Sequence, residues 1–190
     1  MSDRELLLLD AAISVLAEGG IRRLTHRAVD AQARLPVGST SNLFRTREAL
    51  LAGVLKRLLD RETALWPRMP GRMSTRDIDA FAAGVGSVVE TLSDTERELT
   101  LARHAVFTEA ARQPALRAEL QAARGQLAER LAPSLAELGS WRPEQDLRQL
   151  LALVDGLLTS QLVDPTPDFA PAAALASLLH GLIGERPARN

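Results

Sequence analysis

A chain of 190 residues with 46% hydrophobic residues and a net charge of −1 has room for one large domain, or for a small head on a larger body, around a real core. The absence of cysteine excludes disulfides and thiolate metal sites, and no stretch reaches the roughly 20 apolar residues of a membrane span. The charged start Met1–Glu5 and the brief Leu6–Leu9 run do not make a signal peptide, so a soluble, cytoplasmic protein without a membrane partner is expected.

Scarce aromatics (no Tyr, two Trp, four Phe) beside abundant Leu and Ala favour helices over strands. The first helix is predicted from Asp3 to Glu18, on Leu6, Leu9, Ile13 and Leu16 at helical spacing, with Gly19-Gly20 as its stop. Thr25 is placed to cap a second helix through Ala33, and Leu35-Pro36 turns the chain. A short third helix is predicted from Val37 to Phe44 with Leu43 and Phe44 facing inward, and Thr46 precedes a fourth that continues to about Leu65. The Pro/Gly-rich stretch Pro67–Ser74 is the candidate linker. Beyond it, helices are predicted at about Arg76–Leu92, Glu96–Arg112, Ala115–Leu138, Pro143–Val163 and Phe169–Gly184. The expected architecture is all-α: a helix-turn-helix head at residues 1–50 and a helical-bundle body at 51–190.

Charge separates these two parts. From Gly20 to Arg57 there are eight basic residues against Asp30 and Glu48, a local +6 that leaves −7 for the rest of the chain. A basic helical module on an acidic body points to a phosphate-binding head. Within it, Val37, Gly38, Ser39, Thr40 and Asn42 form a run of short side chains on the third helix, as an element that approaches base edges in a major groove requires. Thr25, His26, Arg27, Arg45 and Arg47 stand around it as candidate phosphate contacts; for His26 a cap contact or simple exposure is equally open.

The order helix, helix-turn-helix, fourth helix resembles the TetR family of bacterial one-component repressors over about Leu6 to Leu59. The resemblance is carried by Leu9-Asp10-Ala11-Ala12, Leu16-Ala17-Glu18-Gly19-Gly20, Thr25, Ala33, Leu35-Pro36-Val37-Gly38-Ser39 and Phe44-x-x-Arg47-Glu48-Ala49-Leu50. It implies a homodimer that binds double-stranded operator DNA and is released by a small-molecule effector that moves the fourth helix. Arg47 stands where the family usually has a phosphate-binding lysine. Three features depart from the pattern: Ser41-Asn42-Leu43 stands where aromatic residues are usual, Arg34 replaces the turn glycine, and Asp30 replaces a small alanine. A left-handed Arg34 would cost roughly 1 kcal/mol, and its i,i+4 spacing from Asp30 allows about 0.2–0.5 kcal/mol of compensation.

In the body, apolar lining with few polar groups suggests Phe81, Val85, Val88, Leu92, His104, Phe107, Thr108, Leu127, Leu131 and Trp141 as effector-binding candidates; for His104 a satisfied half-buried site is an equal alternative. From Phe169 to Gly184 there is no charged residue, and a helix apolar all round must be buried. Together with the Leu-rich eighth helix it suggests a dimer seam containing Leu150, Val154, Leu157, Leu158, Ala173, Ala176 and His180, the alternative being a monomer's core. His26, His104 and His180 lack metal-ligand spacing, and neither a nucleophile elbow nor a phosphate loop is present. No metal, cofactor or enzymatic activity is expected. The rival reading is a helical ligand-binding or scaffold protein that does not bind DNA.

Overall fold

The computed structural model describes residues 1–66 and 77–184; the candidate linker Pro67–Ser74 lies outside them. The described residues form nine helices and no strand, an all-α fold. The chain divides into two compact units, Met1–Thr63 with Glu96–Ala123, and Ala64–Thr95 with Arg124–Asn190.

The first unit is built on α1 (Asp3–Arg23). Ser2 and Glu5 open it with a reciprocal capping box, Glu5 N–H donating to Ser2 Oγ at 3.3 Å and Ser2 N–H to Glu5 Oε2 at 2.7 Å. The expected stop at Gly19-Gly20 is a kink rather than an end: Gly20 takes φ 65° and helical geometry resumes to Arg23. Next come α2 (His26–Gln32), α3 (Ser39–Leu43), α4 (Arg47–Thr63) and, after the second unit's first helix, α6 (Arg97–Ala110). α1 packs against α2, α4 and α6. The core they share includes Leu8, Leu9, Ile13 and Leu16 from α1, Leu51, Val54, Leu55 and Leu58 from α4, and Leu99, Ala102 and Val106 from α6. Burying each of the Leu, Ile and Val side chains contributes roughly 1.5–3 kcal/mol.

Ion pairs fix α4 from two sides. Arg57 makes a bidentate contact with Asp10 of α1, 2.8 Å at both oxygens, which pushes the Arg57 pKa up despite its partial burial. Arg61 reaches Asp10 at 3.7 Å and Glu96, the residue before α6, at 2.5 Å. Glu62 meets Arg103 of α6 at 3.0 Å, and the Arg103 guanidinium also lies 4.3 Å over the Phe107 ring.

The second unit contains α5 (Ile78–Ser93), the latter part of α7 (Pro114–Glu137), α8 (Pro143–Val163) and α9 (Pro171–Gly184). Asp77 caps α5, accepting from the amides of Asp79 and Ala80. α5 packs chiefly on α9, and both touch α8. The closest approach is at Gly86, where an added Cβ would lie 2.8–3.0 Å from the Cβ, Cα and N of Ala172. Gly139, at φ 107°, turns α7 into α8, and buried Asp146 accepts from Ser140 Oγ at 2.6 Å and Arg142 Nε at 3.1 Å. No described helix is long and apolar enough to cross a membrane.

Candidate nucleic-acid interface

Thr25 begins the helix-turn-helix as expected of an N-cap, its hydroxyl accepting from the Ala28 amide at 3.1 Å. The turn then passes through Arg34 at φ 54°, the left-handed residue that its sequence position implied. Asp30 does not pair with Arg34. It is 1% exposed and reaches forward to α3: Oδ1 accepts from the Thr40 amide at 2.7 Å and the Thr40 hydroxyl at 2.6 Å, and Oδ2 accepts from the Gly38 amide at 2.8 Å. Burial alone would raise its pKa, but these hydrogen bonds outweigh burial and hold it below the ordinary carboxylate range. The native value is thus lower than the unfolded one. Its contribution to stability is complete above about pH 3.9 and fades as pH falls through the native value.

α3 is shorter than predicted, five residues from Ser39 to Leu43, because Gly38 stands at φ 96° as its N-cap. The Pro36 carbonyl accepts from both the amide and the hydroxyl of Ser39, while Arg4 donates to Ser39 Oγ at 3.1 Å. Ser39 and Thr40 are therefore buried in the module rather than presented outward. Val37, 79% exposed, faces outward together with Ser41 and Asn42. Leu43, expected to face inward, is exposed, and Phe44 is half-buried.

The basic side chains divide into two groups. Arg27, on α2, and Arg45, two residues after α3, are exposed. Arg47 is half-buried and donates through both terminal nitrogens to the carbonyls of Leu24 and Ile21, so it satisfies the end of α1 while opening α4. His26 Nε2 donates to the Phe44 carbonyl at 2.7 Å, joining α2 to the end of α3. Sequence reasoning passes over Asp30 and Arg4 as functional residues. A signal for them lies in Gly38: a helix start without a capping side chain needs an acceptor from elsewhere.

The effector candidates do not form one group. Phe81, Val85, Val88, Leu92 and Leu131 are buried in the second unit and Leu127 is half-buried there, whereas Trp141 is 49% exposed, stacked with Arg142 at 4.9 Å. His104, Phe107 and Thr108 lie on α6 in the first unit, and His104 Nδ1 bonds the Thr100 carbonyl at 3.0 Å. An open groove of about 830 Å³ runs between α7 and α8 over Ala128, Ala132, Leu147 and Leu151, and none of these candidates lines it. Among the seam candidates, Leu150, Val154 and Leu158 are already buried within the chain. Leu157 and Ala176 are half-buried, and Ala173 and His180 are exposed, with His180 Nε2 2.9 Å from Asp79.

Among curated proteins none matches the chain. Among solved structures, the multidrug binding protein EbrR complexed with imidazole is 28% identical over 100% of this chain and 96% of its own, with a TM-score of 0.71. A member of the TetR family from Streptomyces coelicolor A3 is 25% identical over 96% and 99%, TM-score 0.74. A transcriptional regulator from Rhodococcus sp. Rha1 has the same fold at a TM-score of 0.81, with 23% identity over 96% and 97%. Residues 76–185 match the sequence family described as tetracyclin repressor-like, C-terminal domain. That match spans more than half of the chain, and the protein belongs to the TetR family of transcriptional regulators.

Proposed function

We propose that the protein is a homodimeric repressor that grips double-stranded operator DNA through residues 1–50 and is released by a small molecule bound within residues 51–190. The observation that carries this reading is the short α3, with Val37, Ser41 and Asn42 exposed and Arg27 and Arg45 also exposed, in a segment carrying +6. Asn42 and Ser41 offer base-edge hydrogen bonds and Val37 a thymine-methyl contact. Gly38 allows close backbone approach, with Ser39 and Thr40 shaping the helix from beneath. Arg27 and Arg45 hold phosphates, while Thr25, His26 and Arg47 support the surface through their backbone bonds.

Two copies must present their α3 helices one or more helical turns apart, about 34–36 Å each. An effector lowers operator affinity by its differential binding to a form with mismatched spacing. Within the second unit Phe81, Val85, Val88, Leu92, Leu127 and Leu131 offer an apolar lining for it, with Trp141 a further candidate contact, whereas His104, Phe107 and Thr108 stand on α6 of the first unit. EbrR, named for multidrug binding and seen with ethidium, supports an aromatic effector class. The dimer seam uses α8 and α9 through Leu157, Ala173, Ala176 and His180, backed by Leu150, Val154 and Leu158.

Binding to DNA fragments over a salt series tests the reading. Arg27→Ala or Arg45→Ala is expected to weaken all sequences alike. Removing one phosphate interaction flattens the log–log salt slope by about 0.9, hence by nearly two for a change present in both copies. A wild type that binds no duplex at about 50 mM salt returns the protein to a ligand-binding or scaffold role.

A further inference from the structure

Five residues cannot hold a helix by themselves, and α3 buries only Ser39 and Thr40. What fixes its direction is therefore unusually concentrated. Its N-cap is Gly38, which brings no capping side chain. The acceptor comes from α2 instead: the Asp30 carboxylate takes the Gly38 and Thr40 amides and the Thr40 hydroxyl, eight and ten residues along the chain. These three bonds join one buried anion to the first turn of the helix that carries Ser41 and Asn42. Arg4 adds one contact, to Ser39 Oγ, and His26 holds the Phe44 carbonyl at the far end of the helix. The side chains of Arg27 and Arg45, by contrast, lie exposed at the surface.

We propose that Asp30 is a positioning residue for sequence discrimination: it sets the pose of α3, and thereby which bases Val37, Ser41 and Asn42 meet, without contributing to phosphate affinity. The proposal rests on the reading of α3 as the base-contacting helix. Displacing that helix by about an ångström spoils directional bonds to base edges but leaves the diffuse attraction of the basic surface to phosphates. Because Asp30 is buried, salt screens its bonds little. The pose of α3 therefore persists at ionic strengths that erode the phosphate contacts.

The test uses a duplex enriched by the full-length wild type from a random-sequence pool, and a scrambled duplex of equal length. Asp30→Asn keeps the side chain's size, removes the charge and turns one acceptor toward a donor. It is expected to lower the enriched-to-scrambled affinity ratio by roughly 10- to 100-fold, the cost of a wrong base pair or two. Scrambled-duplex affinity and salt slope should stay at wild-type values. Hydrogen exchange should quicken in α3 while α4 to α9 stay protected, which a general loss of fold would not produce. Thr40→Val, which removes one of the three bonds, should give a smaller loss in the same direction, and it decides the matter if Asp30→Asn does not fold. Arg27→Ala should do the reverse, weakening both duplexes and keeping their ratio. An unchanged ratio in the folded Asp30→Asn or Thr40→Val protein overturns the role of Asp30. A wild type that enriches no duplex overturns the DNA-binding reading itself.

Discussion

Ala173→Glu is expected to leave each chain folded, separate the two copies and lower operator affinity by roughly 100-fold or more, the scale on which linked binding exceeds single binding. Ala173 is exposed on α9, beside exposed Ser177, His180 and Gly181, in a helix that holds no Asp, Glu, Lys or Arg. α8 adds exposed Ala152 and Gly156, with Val163 at 80% exposure. Such a face needs a cover, and the proposed dimer would supply one by two-fold symmetry. The same symmetry places each new carboxylate in the interface twice, and burying an unpaired charge costs several kcal/mol per ion. In the monomer the substituted side chain points to water, so circular dichroism should be unchanged. Sedimentation at micromolar concentration decides: a monomeric wild type defeats the dimer, and a dimeric variant moves the seam away from Ala173.

Gly86→Val is the second large effect, and it acts on stability. The valine Cβ would sit 2.8–3.0 Å from Ala172, two of whose three nearest atoms are backbone. No rotamer change relieves such a clash; α5 and α9 must move apart. Overpacking of this kind costs about 1–3 kcal/mol, and separating the main helix pair of the second unit puts the expectation near the upper end of that range. At roughly 2–4 °C per kcal/mol, the melting temperature should fall by about 6–12 °C. Gly125 in α7 is the control, because nothing lies within 4 Å of an added Cβ there. Gly125→Ala should stabilise the protein by about 0.5–1 kcal/mol through helix propensity alone. Equal effects at the two glycines would show that propensity, not the α5–α9 approach, governs Gly86.

The sequence is most legible where punctuation and periodicity agree. Pro143 and the turn after Val163 bound α8 at its predicted ends, and the all-α fold follows from composition and helical spacing. Legibility fails where the partner of a pattern lies elsewhere in the chain. Asp30 is four residues from Arg34, a pairing that local spacing suggests; but Arg34 has left the helical conformation, and the carboxylate finds amides on the next helix. The small residues of α9 suggest room for a second copy, yet Ala172 uses that room for Gly86 of its own chain. The apolar stripe of α6 announces a buried face without announcing α1 as what it covers, so spacing alone groups His104 and Phe107 with the body.

The packing of α6 on α1 has a consequence during synthesis. α1 to α4 leave the ribosome first, but α6 ends at Ala110, and translation at about 5–20 residues per second takes several seconds to supply it after α1 has emerged. During that interval the newborn chain exposes the side of α1 that α6 later covers, a natural target for chaperones. For the same reason a gene fragment that stops after α4 encodes an incomplete module, and transplanting the first unit onto another protein requires carrying Glu96–Ala123 along with it.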